Sequence, residues 1–413
     1  MRHRCRDSAK AQGDELEGTQ LELNGALHEA PMSGGPSPWV APRYARDSCP
    51  MTEPLRYGIV GAGMMGVEHI RNLMALPGSE VTALADPHPP SIARALDALG
   101  SGAEQVATFD HHRDLLDADR CDAVVVATPN MTHVEVLHDV LSTDMHVLVE
   151  KPLCTTVADC REVIRRAEGR TALTWVGLEY RFIPAVARLV DEVHAGTVGQ
   201  LRMLAIREHR FPFLTKVGHW NRFNRNTGGT LVEKCCHFFD LMCLVSGERP
   251  TAVFASGAQD VNHLDESIDG AVPDILDNAY VVVEFPSGAR ALLDLCMFAE
   301  ATRNQEEISA VGDAGKIEAF VPDSLVRVGR RGAHWIGGVE EEIVSDDRVA
   351  HEGFHHGSSY LEHLAFLDAV RTGAPPGVTL DDALWSVAIG VAAHRSIDEG
   401  RRVHLEEVLD ANA

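Results

Sequence analysis

Between residues 55 and 176 the apolar positions alternate between two rhythms. Short apolar runs at Arg56–Val60 (RYGIV), Glu80–Ala85 (EVTALA) and Asp122–Ala127 (DAVVVA) read as strands, with His146–Val149 and Ala172–Val176 as two more. The DAVVVA run does not alternate, so both faces of that strand are expected to be buried. Helical periodicity fills the gaps: from Gly66 to about Leu76, Ser91 to Leu99, Thr132 to Leu141, and Val157 to Ala167, which Gly169 closes. Strands alternating with helices of this length predict βαβ units and a parallel sheet.

Beyond Gly177 the texture changes. Pro184–His194 predicts a helix, and Gln200–Glu208 a long strand. Asn278–Phe285, Ala289–Cys296 and Glu307–Val311 predict antiparallel strands, the first two joined at Pro286-Ser287-Gly288. Ser359–Arg371 and Leu380–Ile397 read as amphipathic helices. The expected class is therefore α/β: a Rossmann-type domain over residues 51–176, then an α+β domain with a mostly antiparallel open sheet over 177–413. The last helix is expected to pack back on the first domain. Residues 1–50, with five Gly and five Pro and no sustained apolar period, predict a disordered extension.

The chain has 413 residues and a net charge of −24, nearly all of it outside the first 50 residues. Such acidity argues against nucleic acid and anionic membrane surfaces as partners, because both select Lys and Arg. No apolar run approaches a membrane span, and no apolar core follows the basic N-terminus as in a secretory signal. Nine scattered cysteines without a C-x-x-C pair disfavour a disulfide framework or zinc knuckle and point to a reducing cytoplasm. The adjacent Cys235-Cys236 read as buried packing residues, and no metal site is expected.

Gly61-Ala62-Gly63-Met64-Met65-Gly66 follows the first strand and opens a helix, and Asp86 ends the next strand 20 residues after Gly66. Gly61 permits the tight turn, Gly63 lets backbone approach a pyrophosphate, and Gly66 allows close helix–strand packing. The helix N-terminus offers N–H groups and partial positive charge to the phosphates. A carboxylate at Asp86 suits the ribose hydroxyls of NAD and repels a 2′-phosphate. With no Arg directly after it, NAD is expected over NADP.

Two further motifs sit where parallel strands end: Ala127-Thr128-Pro129-Asn130-Met131-Thr132-His133 and Glu150-Lys151-Pro152. Later, Glu233 and His237 fall at i, i+4 with Asp240 at i+7, a predicted polar stripe on one helix among Cys, Phe, Leu and Met. Such a stripe would be costly in a dry core and suits the wall of a polar pocket. His209 and Trp220-Asn221 precede it, where a substrate loop would lie; His111-His112 and His355-His356 read as surface or loop residues.

Taken in order, these motifs, with Gly228–Asp240 (GGTLVEKCCHFFD) and Thr379–Leu384 (TLDDAL), resemble the glucose–fructose oxidoreductase and inositol dehydrogenase (Gfo/Idh/MocA) family. The resemblance spans about Leu55 to Leu405. It implies hydride transfer between a nicotinamide and a hydroxyl of a sugar, sugar derivative or cyclitol, by a homodimer or homotetramer assembled through the open sheet. It adds Thr128, Asn130, His133, Glu150 and Lys151 to the cofactor contacts Gly61, Gly63, Met64, Met65, Gly66 and Asp86. It implies Lys151 and His237 as catalytic residues, His237 being the acid–base, and Tyr180, Arg181 and Asp240 as substrate contacts. The family carries Asp four residues before the histidine; here it is Glu233, expected to orient His237. Two other readings remain open: a glycoside-cleaving enzyme that oxidises its substrate transiently, and a non-catalytic NAD-binding sensor.

Overall fold

The computed structural model describes residues 53–332 and 336–410, so the extension expected over residues 1–50 lies outside the described residues. Strands β1 (Leu55–Val60), β2 (Ser79–Ala85), β3 (Ala107–Phe109), β4 (Ala123–Val126), β5 (His146–Glu150) and β6 (Thr174–Gly177) form a parallel sheet in the order β3-β2-β1-β4-β5-β6. Helices α1 (Met64–Ala75), α2 (Pro89–Leu99), α3 (His112–Asp117), α4 (His133–Val140) and α5 (Val157–Ala167) connect them. All of β4 is buried, as its unbroken AVVV run requires when helices cover both faces. The strand order reverses between β1 and β4, so a crevice opens above their carboxyl ends.

The second sheet has nine strands: β7 (Leu201–His209), β8 (Ala252–Ala258), β9 (Asn278–Glu284), β10 (Arg290–Cys296), β11 (Glu306–Gly312), β12 (Gly315–Val321), β13 (Leu325–Arg330), β14 (Glu340–Ile343) and β15 (Val403–His404). Their order is β14-β13-β12-β11-β7-β10-β9-β8-β15; β7 and β10 run parallel and the other neighbours antiparallel. The expected mostly antiparallel sheet is thus present, with one parallel pair, and β8 and β12–β15 extend it beyond the strands expected. Along β7, Leu204, Ile206 and Glu208 point inward while Met203 and Arg207 face out. The inner face is covered by α6 (Pro184–His194), α9 (Cys236–Ser246) and α11 (Leu380–Glu399). Two short helices, α7 (Asn224–Thr227) and α8 (Thr230–Glu233), precede α9, and α10 (Ser358–Thr372) precedes α11. A capping box between Thr379 and Asp382 starts α11.

The last long helices return to the helices of the first sheet. α10 packs on α1, and α11 on α5. Tyr57 of β1 meets the rings of His363 and Phe366 of α10. Trp175 of β6 packs edge-on against Phe366 and donates its indole N–H to Glu362 at 3.1 Å. His69 of α1 reaches His363 at 2.8 Å.

Directly after β6, residues Glu179–Phe182 form one 3₁₀ turn. Arg181 of this turn is buried and donates to both carboxylate oxygens of Asp240, through Nε at 2.6 Å and through Nη2. It also donates to the Gly377 carbonyl at 3.0 Å and lies 3.3 Å from Asp382 at the start of α11. The expectation that Arg181 and Asp240 touch substrate is corrected: their charges are committed to each other, in the seam joining β6, α9 and α11. Burial pushes the Asp240 carboxyl upward and Arg181 opposes that shift. Removing one partner of a buried pair leaves an uncompensated charge. Arg181→Ala is therefore expected to cost about 3–5 kcal/mol of stability. Urea unfolding midpoints check this, and a loss below about 1 kcal/mol, the range of an exposed ion pair, would contradict the structural role.

Candidate active site

A cleft of about 1170 Å³ runs from the carboxyl ends of β1, β2, β4 and β5 down to the 3₁₀ turn, the loop over residues 210–222 and the segment at Glu233–His237. At its upper end β1 breaks at Gly61, which adopts φ +94° while its Cα packs on the backbone of Ala127 and Thr128. A Cβ on Gly66 would lie 2.1 Å from the Gly61 carbonyl oxygen, so only glycine lets α1 approach β1 this closely. A Cβ on Gly63, by contrast, would meet no atom within 4 Å. Gly61, Gly63, Met64 and Met65 line the cleft, and no side chain caps the α1 N-terminus there. Gly66 stays beneath the loop as packing.

Asp86 lines the cleft after β2. Its Oδ2 accepts from the Ala62 N–H and its Oδ1 from the His88 N–H, both at 2.8 Å. The carboxylate is pinned to the glycine loop and also caps the turn that follows it, and each oxygen keeps a further lone pair for a ligand. Although no Arg follows Asp86 in sequence, α1 and α2 bring Arg71 and Arg94 into the cleft lining, with Arg94 on the Ser91 hydroxyl at 3.2 Å. Thr128 and Asn130 line the opposite wall, and the Asn130 Nδ2 is buried without a partner. The open space over Gly63, the uncapped helix end, the pinned carboxylate and the unpaired amide fit a dinucleotide. His133 does not join them. Fully buried, it spans the Pro152 and Thr128 carbonyls at 2.9 and 3.0 Å, clamping the two strand-end loops together.

Lower in the cleft, Glu150 is fixed by His69 at 2.9 Å and by the Lys151 N–H at 3.1 Å. Burial opposes its ionisation, but the His69 hydrogen bond and the nearby Lys151 hold it down at about 2. Lys151 lines the cleft and donates to the Glu233 carbonyl at 3.3 Å. Burial disfavours its charge, yet the acidic groups around it, Glu150, Glu179 and Glu233 among them, raise its pKa, so it stays an ammonium. His237 lines the same space, its ring stacked on Tyr180 with centroids 4.0 Å apart. Burial, then Lys151 and Lys234, push its pKa well below the usual histidine value. His237 is therefore a neutral imidazole.

The predicted stripe of Glu233, His237 and Asp240 is broken. The α8 helix ends at Glu233 and α9 starts at Cys236, and Glu233 makes no hydrogen bond with His237. The Glu233 Oε2 is instead buried without a partner, and burial raises its pKa against Lys151 and Lys216. The carboxylate beside the imidazole is Glu179, with Oε1 at 3.8 Å from the His237 Nε2. Tyr180, Trp220 and Asn221 line the cleft, and the Asn221 Oδ1 is buried and unpaired. His209 does not: it bonds Asp294 at 3.1 Å on the outer side of the second sheet. His355, expected on a surface or loop, lines the cleft 3.3 Å from Glu179, and His111 and His112 line its other end. Lys234, also missed, donates to the Tyr180 hydroxyl and pairs with Glu208, both at 2.9 Å. Glu179 had one readable signal, an acid at the end of a parallel strand; His355 had none, because a 3₁₀ turn over Gly353–His355, just before α10, carries it in from far along the chain.

Residues 55–178 match the oxidoreductase family described as having an NAD-binding Rossmann fold, and residues 190–405 match the C-terminal alpha/beta domain of the same family. The chain is 30% identical over 367 residues to the myo-inositol 2-dehydrogenase of Thermotoga maritima, covering 86% of this chain and 100% of that relative. It is 24% identical over 375 residues to the scyllo-inositol 2-dehydrogenase (NAD(+)) of Bacillus subtilis, covering 86% and 98%. Among solved structures, a probable dehydrogenase from Thermotoga maritima superposes with a TM-score of 0.69 at 27% identity, covering 86% of this chain and 100% of that one. A levoglucosan dehydrogenase complex with NADH and levoglucosan gives 0.74 at 18% identity, over 86% and 100%, and shares the fold. With both of its halves matched in order, and a relative of this identity aligned along its whole length, the chain belongs to the GFO/IDH/MocA oxidoreductase family.

Proposed function

We propose that the protein is an NAD-dependent oxidoreductase that moves a hydride between the nicotinamide and a hydroxyl or carbonyl of a cyclitol, sugar or sugar derivative. One observation carries this reading: a single cleft holds the glycine loop and Asp86 at one end and Lys151 with His237 at the other. The inositol dehydrogenases among the relatives support the polyol class of substrate.

When bound, the nicotinamide supplies the hydride acceptor. The glycine loop and the α1 N-terminus hold the phosphates, and Asp86 accepts from ribose hydroxyls. The Lys151 ammonium donates to the reacting oxygen and stabilises negative charge growing there. His237, neutral in the resting protein, takes the hydroxyl proton. Trp220 offers an apolar face for a sugar ring, and Asn221 an amide for its hydroxyls. We further assign a cytoplasmic location, which the unbridged cysteines among the described residues support. A homodimer or homotetramer would cover the outer face of the second sheet, where Met203, Phe254 and Tyr280 are exposed.

The decisive test is a panel of cyclitols, sugars and sugar acids read as NADH absorbance: sustained NADH formation is expected with at least one, and none across the panel would refute the activity. His237→Ala is expected to lower kcat roughly 10²–10⁴-fold while NAD affinity holds, and near-normal turnover between about pH 6 and 10 would remove His237 as the base. Asp86→Ser removes up to two charge-assisted hydrogen bonds of about 1.5–3 kcal/mol each. It should weaken NAD and relieve the repulsion of NADP. An unchanged NAD:NADP ratio of kcat/KM would show that Asp86 serves only its turn.

A further inference from the structure

A base whose pKa is pushed well below the usual histidine value is a poor resting place for a proton. The structure places a better one beside it. The Glu179 Oε1 is buried, accepts no hydrogen bond, and faces two imidazoles: His237 Nε2 at 3.8 Å and His355 Nδ1 at 3.3 Å. A contact of 3.8 Å is longer than a hydrogen bond, but such contacts commonly tighten when substrate binds. Glu179 is also the carboxylate within 4 Å of the His237 ring among the described residues. One face of the ring is covered by the stacked Tyr180 ring, whose hydroxyl is held by Lys234. His237 and His355 both line the cleft, the His355 side chain 22% exposed, and the buried Glu179 oxygen sits behind them within reach of both.

We propose that Glu179 is the proton partner of His237: the proton that His237 takes from the substrate hydroxyl passes to the Glu179 carboxylate, on the side that His355 connects to the cleft. The inference rests on the dehydrogenase reading above. The balance is simple. As the carbinol carbon loses a hydride to NAD, its O–H proton moves to the His237 imidazole and then to Glu179. The imidazole returns to neutral and the carboxylate becomes a carboxylic acid, which gives its proton to solvent before the next turnover. Carbonyl reduction runs the same path backwards. The groups around Glu179 make the step downhill. Burial, and then Glu150 at the end of β5, push Glu179 up to about 8, against the pull of Lys151 and Lys234; Glu362 of α10 adds a further acid on that side. The accepting carboxylate therefore fills as pH rises through about 8. Alcohol oxidation should speed up over that interval and carbonyl reduction should slow.

The test is Glu179→Gln, which keeps size and shape but cannot titrate. Its kcat for oxidation should fall at least about tenfold with little change in KM or NAD affinity, and the rise in kcat near pH 8 should vanish. Glu179→Asp should restore a pH step with part of the rate. A second readout needs no cofactor. In the cofactor-free protein, NMR of the His237 and His355 rings should follow a titration near pH 8 that is missing in Glu179→Gln. Unchanged turnover and pH profile in Glu179→Gln, or ring resonances without that titration in the unaltered protein, would overturn the proposal. Absence of NADH formation with every substrate would instead strike the dehydrogenase reading, and the ring titration would still decide the role of Glu179.

Discussion

Ionisable side chains at the base of the cleft and in the seam behind it are held out of water, and the surrounding structure is arranged around their mutual neutralisation. Moving a charge into a protein interior costs several kcal/mol unless partners replace the lost hydration. Here the replacements come from separate stretches of chain. Lys234 is satisfied by Glu208 of β7 and the Tyr180 hydroxyl, Glu150 by His69 of α1, and Arg181 by Asp240 of α9. Where partners fall short, protons make up the difference: Glu306, beside Glu208, is pushed up to about 8 by burial and by that second carboxylate. Behind the cleft lining, Glu179 and Glu306 are thus poised close to a change of protonation, as acid–base chemistry near neutral pH requires.

The first half of the chain was legible because its signals are local. The glycine loop, the acid at Asp86 and the strand-end motifs act within a few residues of where they stand, and the structure puts Gly61, Gly63, Asp86, Thr128, Asn130, Glu150 and Lys151 along one cleft. The unbroken AVVV of β4 announces a strand covered on both sides. His133 shows the limit of position alone. It belongs to a ligand-facing loop, yet its ring turns inward to tie that loop to Pro152.

Further along, the errors share one cause: partners distant in sequence. Arg181 and Asp240 carry no mark saying that they are meant for each other. The i, i+4 spacing of Glu233 and His237 assumed one continuous helix, and the break before Cys236 separates them. Strands β13 and β14 lie at the sheet edge and are only partly covered, so Leu325–Arg330 and Glu340–Ile343 lack a strong apolar rhythm. Cleft groups such as His355 come from a region whose local sequence describes only a loop.

The return of α10 to the first sheet has a consequence for the order in which the protein can be completed. Tyr57 and Trp175 are buried against Phe366, and His69 meets a partner 294 positions later in the chain. On a ribosome, β1 and α1 emerge long before the helix that covers them. The cofactor-binding lobe, first to be made, keeps part of its core open to water until the end of synthesis, and contacts across so long a loop form late because loop closure precedes their reward. What the sequence divides into two successive modules is, as a physical object, finished only as a whole.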